Sequence, residues 1–138
     1  MTRTDWRTAQ IVLLALIVTG LSYCKAVDGL VGTFRELNAI SSDISSTFDE
    51  PAVRVNLRNN RYLTVQLLNS KHGDEAATDK SDLARRVAEF TYNHYSSRAD
   101  LKAVNVAFVR SWSFVVFHYT DSRDVYRFDA KELGRSQK

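Results

Sequence analysis

Residues 51–68, PAVRVNLRNNRYLTVQLL, decide the fold that the sequence predicts, because apolar and polar side chains alternate through them with a period of two. This alternation is typical of strands with one buried face, and the central asparagines favour a turn between two strands. A two-residue turn would pair apolar with polar positions, whereas a three-residue loop over residues 59–61 pairs like with like. We therefore predict a hairpin with the longer loop and a left-handed asparagine. The predicted pairs are Leu57 with Leu63 and Val55 with Val65.

An amphipathic segment precedes the hairpin. Apolar residues at positions 30, 34, 37, 44 and 48 fall within one stripe of a 3.6-residue period, and Pro51 ends the segment. We predict a helix over residues 30–46. We expect it to pack on the sheet rather than to form a free stalk, because Phe34 and Phe48 would otherwise be exposed.

A second helix and further strands follow the hairpin. Asp79 or Ser81 can cap a helix that runs to about Tyr95, because this segment has one broad apolar face. A break after Arg110 and a turn at residues 121–123 then divide the rest into strands. We place these strands at residues 104–108, at 112–119 as an interior strand, and at 125–128 as a short edge strand.

The order of these elements predicts the fold class. Strands in runs with one helix between them favour an α+β domain. We predict an antiparallel sheet of four to five strands with one or two helices packed on one face. The element order is α-β-β-α-β-β-(β), preceded by an N-terminal hydrophobic leader.

The charge balance of the chain is nearly even. Of its 138 residues, 44% are hydrophobic and 25% are charged, as in ordinary folded proteins. Lys and Arg number 19 against 16 Asp and Glu, a net charge of +3. Without Arg3, Asp5 and Arg7 of the leader, 17 basic and 15 acidic residues leave +2, a balance too even to indicate a polyanionic partner. We therefore predict no nucleic-acid partner.

Residues 11–27, IVLLALIVTGLSYCKAV, form the apolar leader. Between Arg7 and Lys25 lie 17 residues without a charge. The run fits a signal peptide, whose apolar region is about 7–15 residues after a positive start, better than a membrane span of about 20 residues. A buried core helix is disfavoured, because the run has no polar face. We predict residues 1–24 as a signal peptide or membrane anchor and residues 25–138 as a single extracytoplasmic α+β domain.

The leader contains Leu21-Ser22-Tyr23-Cys24, which resembles the signal of bacterial lipoproteins, in which an aliphatic residue and two small residues precede the lipidated cysteine. Leu21 and Ser22 match this signal, whereas Tyr23 stands where lipoproteins have Gly, Ala or Ser. The resemblance implies Cys24 as a lipid anchor. An uncleaved signal anchor and a cleaved leader without an anchor stay open, and each of the three outcomes exports the domain.

The residue types that carry catalysis or bind metals form no recognisable motif. A single cysteine excludes an internal disulfide and a zinc site with two thiolates. The histidines at positions 72, 94 and 118 lack metal-ligand spacing, no nucleophile lies in an elbow, and the glycines form no phosphate loop. We therefore predict no enzyme activity, no cofactor and no metal.

The segment 110–117, RSWSFVVF, resembles the signature of the RNA-recognition motif, which reads Lys/Arg, Gly, aromatic, Gly/Ala, Phe, Val, any residue, aromatic. The resemblance implies an exposed sheet face formed by Trp112, Phe114 and Val116, against which single-stranded bases stack. Both glycine positions are serine here, and Gln66 stands where the companion motif has an aromatic residue. A β-hairpin whose aromatics build the core is therefore the preferred interpretation.

These observations predict an exported, membrane-tethered, non-enzymatic domain, a binding or structural accessory protein of the bacterial cell envelope, periplasmic or at the cell surface. Its partners are the membrane, through the leader, and an envelope protein. The candidate contact residues are Tyr62, Trp112 and Tyr119, with the edge strand at 125–128. One alternative is a module that holds a small apolar ligand or lipid between the N-terminal helix and the sheet. A more distant one is single-stranded nucleic-acid binding of the RNA-recognition-motif type.

Overall fold

The computed structural model describes the backbone of residues 29–114 and 117–135, and the side chains of residues 29–110 and 124–135. The predicted leader, with its candidate anchor Cys24, lies outside the described residues. The chain divides into two compact units, residues 1–35 and 36–138. In the first unit the described residues are helical, and Leu30, Val31 and Phe34 are exposed.

The fold is α+β, as predicted, and its four strands form one mixed sheet. In chain order the strands are β1 (Ala52–Arg58), β2 (Tyr62–Leu68), β3 (Ala103–Phe114) and β4 (Phe117–Asp129), and this is also their order in the sheet. The helices are α1, described over residues 29–48, then α2 (Ala77–His94) and α3 (Ala130–Arg135), with a 3-10 turn at Arg98–Asp100. No helix within the described ranges combines the length and apolarity that crossing a bilayer requires.

The predicted all-antiparallel sheet is wrong at its centre, where β2 and β3 are parallel. The two outer pairs, β1 with β2 and β3 with β4, are antiparallel. The cause is helix α2, whose 18 residues span about 27 Å. A helix of that length carries the chain back past β2, about 23 Å long, so that β3 starts at the same end of the sheet.

The register of the first hairpin confirms the sequence prediction. Leu57 lies opposite Leu63, and Val55 lies opposite Val65. Asn59 and Asn60 have φ angles of 53° and 54°, the left-handed conformation that a three-residue loop requires. The N–H of Arg61 closes the loop by donating to the carbonyl of Arg58 at 3.1 Å.

The second hairpin differs from the prediction. The segment 112–119 is not one interior strand, because β3 runs unbroken through Arg110 to Phe114, and β4 begins at Phe117. The run reads as a buried strand only because two apolar strand ends meet there without a Gly, Pro, Asn or Asp to mark the boundary. Nor do residues 121–123 form a turn. They lie within β4, where a register shift accommodates one extra residue opposite Phe108 and Val109.

The predicted edge strand at 125–128 is part of β4, which is an edge of the sheet. Helix α2 begins at Ala77, earlier than predicted, and its N-cap Ala76 makes no side-chain capping hydrogen bond. The predicted cap at Asp79 or Ser81 is therefore wrong. Both residues lie inside the first turns of the helix, where the carboxylate of Asp79 still complements the positive end of the helix dipole.

The hydrophobic core lies between the helices and one face of the sheet. From the helices it receives buried side chains such as Ile44 of α1 and Val87 of α2. The sheet contributes the alternate residues of its two central strands, namely Leu63, Val65, Leu67, Val104, Val106 and Phe108. Residues 36–48 of α1 thus pack on the sheet, as predicted, and the Oγ of Ser41 donates to the carbonyl of Val53 at 2.6 Å.

The opposite face of the sheet carries no described helix. Its rows run across β1, β2, β3 and β4 in register, and its outer positions are exposed. The first row is Arg58, Tyr62, Ala103 and Asp129, the second is Asn56, Thr64, Asn105 and Arg127, and the third is Arg54, Gln66, Ala107 and Val125. We call this surface the arginine face, after Arg54, Arg58 and Arg127.

Candidate functional site

A polar cleft of about 280 Å³ lies where β2 ends and its parallel pairing with β3 stops. The carboxyl ends of neighbouring parallel strands, beside a helix start, are a recurrent place for ligands in sheets of this kind. The cleft is lined by the β2–α2 loop, the first turn of α2, β3 and β4. Its lining residues include Ser70, Asp74, Glu75, Lys80, Arg110 and Asp124.

The loop after β2 is held to the sheet at its start and turns sharply at its middle. The N–H of Asn69 donates to the carbonyl of Val109 at 2.8 Å, which continues the pairing of β2 with β3 beyond the strand end. The N–H of Gly73 donates to the carbonyl of Ser70 at 3.0 Å. A Cβ at position 73 would lie 3.1 Å from that same oxygen, so the turn favours glycine there.

Both cations in the cleft are paired with carboxylates. The buried ammonium of Lys80 donates to Asp124, and this hydrogen bond raises the pKa of Lys80 above its ordinary value. The guanidinium of Arg110 lies 2.5 Å from the carboxylate of Asp74. The cleft therefore presents both signs of charge, already neutralised pairwise, to anything that enters it.

A buried carboxylate supports the loop from the α1–β1 connection. Glu50 is only 3% exposed, and its Oε1 accepts from the Oγ of Ser70 at 3.0 Å. Its Oε2 is buried without a hydrogen-bond partner in the described structure. Burial raises the pKa of Glu50, because removal from water disfavours the ionised carboxylate.

Each of the two histidines whose side chains are described contacts a neighbouring side chain. The Nδ1 of His72 lies 2.7 Å from the Oε1 of Glu75, and the ring of His94 stacks on Phe90 at 3.9 Å. His118 lies outside the residues whose side chains are described. In the described ranges, no three His, Cys, Asp or Glu residues come together in a way that could hold a metal ion.

The arginine face is a second candidate surface, on the other side of the sheet from the helices. The guanidinium of Arg127 lies over the ring of Tyr62, 5.7 Å from its centroid. These residues sit on β4 and β2, so they meet above β3, where the small Ala103 leaves room for them. A cation held over an aromatic ring in this way keeps its remaining N–H groups available for a partner.

The structure does not bring the three predicted aromatic contact residues together. Tyr62 lies on the arginine face, beside Ala103 in the register. Trp112 and Tyr119 are register partners in the second hairpin, nine residues farther along β3, or roughly 30 Å. Their side chains lie outside the described part, as does Cys24. Binding by each of these residues stays a prediction.

The cleft and its charged residues were missed by the sequence reasoning. Lys80, Asp124 and Arg110 lie far apart in the sequence, and they meet only because β2 and β3 are parallel neighbours. One sequence signal was available: a helix of about five turns between two strands predicts a crossover connection and hence a parallel pair.

Comparison of this chain with protein-family models, with curated proteins and with solved structures finds no match. The assignment of function therefore depends on the residues of the chain itself and on the two surfaces described above.

Proposed function

We propose that this protein is an exported, membrane-tethered binding domain of the bacterial cell envelope, without enzymatic activity of its own. The tether is supported by the apolar run before Lys25, its positive flank and the lipoprotein-like residues around Cys24. A tether of this kind raises the effective concentration of the domain at the membrane.

The single observation that carries the binding role is the arginine face. The side of the sheet opposite the described helices bears three exposed arginines and the exposed Val125. Exposed guanidinium groups beside an aromatic ring are more typical of a surface that binds a partner than of one that only stabilises the fold. The cations of the cleft, in contrast, are engaged with carboxylates, and this supports a non-enzymatic role.

Intact-mass analysis of the protein recovered from the membranes of its own host tests the tether. Loss of residues 1–23 together with a diacylglycerol mass on Cys24 supports a lipoprotein, and an unprocessed mass in the membrane fraction supports a signal anchor. Recovery of the unprocessed chain only from the soluble cytoplasmic fraction contradicts both forms of the proposal.

A second candidate function is capture of a small polar molecule in the cleft. It is favoured by the position of the cleft at the carboxyl end of β2, where the parallel pairing stops, and by its lining of both charge signs. Native mass spectrometry of the protein purified from its host tests it. A bound small molecule that is lost in R110Q and kept in R85Q supports the cleft, and an empty chain in every preparation contradicts it.

The two alternatives from the sequence stay predictions. An apolar ligand would have to enter the core between α1 and the sheet, where Ile44 and Val65 are fully buried. The described cleft lies elsewhere and has a polar lining. Base stacking on Trp112, Phe114 and Val116 concerns side chains outside the described part.

A further inference from the structure

We propose that the arginine face rests on an anionic phospholipid surface. This inference builds on the proposed membrane tether and names the partner of the surface that carries the binding role. It concerns the exposed Arg54, Arg58 and Arg127, with Tyr62 on β2 and Val125 beside Arg127 on β4.

The arginines of this face have no acidic partner among the side chains that the structure describes. None of the ion pairs within the described residues involves Arg54, Arg58 or Arg127. The face has one carboxylate, Asp129, so its described rows hold three cations against one anion. The arginine face is therefore basic, although the net charge of the whole chain is nearly even. A basic surface whose arginines form none of the described ion pairs complements an anionic partner surface.

The shape of the face fits a planar partner. Three rows across four strands cover roughly 15 Å in each direction at ordinary strand and residue spacings. Small side chains at Ala103 and Ala107 on β3 keep the middle of the face shallow. A shallow basic surface suits a layer of headgroups better than a segment of protein, which would need a groove or an anchoring pocket.

The residue types also suit phospholipid headgroups. Guanidinium groups bind phosphate oxygens through two parallel hydrogen bonds and lose hydration more readily than ammonium groups do. Tyrosine is enriched at membrane–water interfaces, and the ring of Tyr62 lies beside Arg127. Val125, which is 59% exposed at the edge strand, adds apolar surface that can enter the headgroup layer.

Photocrosslinking of the full-length chain in lipid nanodiscs tests the inference. The chain carries benzoylphenylalanine at position 125 on the arginine face, or at position 82 on the exposed side of α2 as the control. The nanodiscs contain phosphatidylcholine alone or with about one third phosphatidylglycerol. We expect lipid adducts by intact mass at position 125 in the anionic discs, and few adducts at position 82 in either disc.

A matched pair of variants identifies the charges responsible. R54Q/R58Q should lower the adduct yield at position 125 at least about tenfold, because each arginine near an anionic surface contributes substantially to binding. R85Q/R86Q removes the same charge from exposed positions of α2 and should leave the yield unchanged. Raising the salt to about 0.5 M should reduce the yield as R54Q/R58Q does.

The two proposals fail in distinguishable ways. Failure of the tether would appear as a chain that does not enter phosphatidylcholine discs at all. The inference on the arginine face is overturned if the chain enters the discs and the yield at position 125 depends neither on anionic lipid nor on R54Q/R58Q. The same photocrosslinking can be done in membranes of the host. If position 125 then forms adducts with protein or nucleic acid instead of lipid, the inference is also overturned.

Discussion

At the residue scale, two asparagines determine the conformation of the loop in the first hairpin. Asn59 and Asn60 both hold positive φ angles, which asparagine tolerates better than residues with a branched Cβ. The register that follows directs Leu63 and Val65 of β2 into the core.

Replacing Asn60 tests this role. N60V should lower the free energy of unfolding by about 1–2 kcal/mol, because a branched side chain is strained in the left-handed conformation. N60G should leave it within about 0.5 kcal/mol of the native value, since glycine adopts this conformation freely. Urea denaturation measures both, and equal stability of the two variants would refute the left-handed loop.

Glu50 predicts a pH dependence. Its folded pKa is raised above the ordinary 4.5, so the native state binds the proton more tightly than the unfolded state does. The contribution of this residue to stability is therefore most favourable at and below about pH 4.5 and is lost as the pH rises through the folded pKa.

The variant E50Q removes this titration. We expect its melting temperature at pH 7 to rise by roughly 2–4 °C, because a neutral amide costs less to bury than a carboxylate. The gain should disappear near pH 4.5. E132Q, at an exposed position of α3, serves as the control and should change little at either pH. A lower melting temperature for E50Q at pH 7 would show that the ionised form stabilises the loop.

At the scale of elements, α1 packs on the sheet through its C-terminal part. Ile44 is fully buried, whereas Phe34 on the same helix is 67% exposed. I44A should lower the free energy of unfolding by about 2–5 kcal/mol, as expected for a cavity left in a packed core. F34A should change it by less than about 0.5 kcal/mol. Similar small effects for both variants would mean that α1 does not pack on the domain.

The parallel pair of β2 and β3 is the element-scale feature on which the cleft depends. Thr64 lies beside Asn105 in this register, on the arginine face. In a C24S background, T64C/N105C should therefore form a disulfide on mild oxidation, since parallel neighbours lie within the range of Cα separations that a disulfide spans. T64C/V125C, two strands apart, should stay reduced. A T64C/N105C variant that stays reduced under the same conditions would contradict the pairing of β2 with β3 in this register.

At the scale of the whole molecule, the elements themselves were predictable where periodicity and turn chemistry agree. Both long helices, the first hairpin and its register follow from spacing and from the asparagines at 59 and 60. The boundary between β3 and β4 was not predictable, because residues 112–119 carry no turn signal.

The cleft and the arginine face could not be predicted from the sequence for a related reason. Each depends on which strands are neighbours, and local patterns do not determine strand neighbours. Lys80 and Asp124 pair across 44 positions of sequence, and Tyr62 meets Arg127 across the width of β3. Of the predicted contact residues, Tyr62 lies on a surface that we propose to bind, while the side chains of Trp112 and Tyr119 lie outside the described part, as does the predicted lipid anchor Cys24.

The central claim is that the domain is exported and held at a membrane. Treatment of host spheroplasts with a protease that does not cross the inner membrane tests it most directly, with the full-length chain followed by an antibody to its C-terminal residues. We predict that the chain sediments with the membranes and is degraded in intact spheroplasts, while a cytoplasmic marker survives. A chain that is protected until the spheroplasts are lysed would contradict the account.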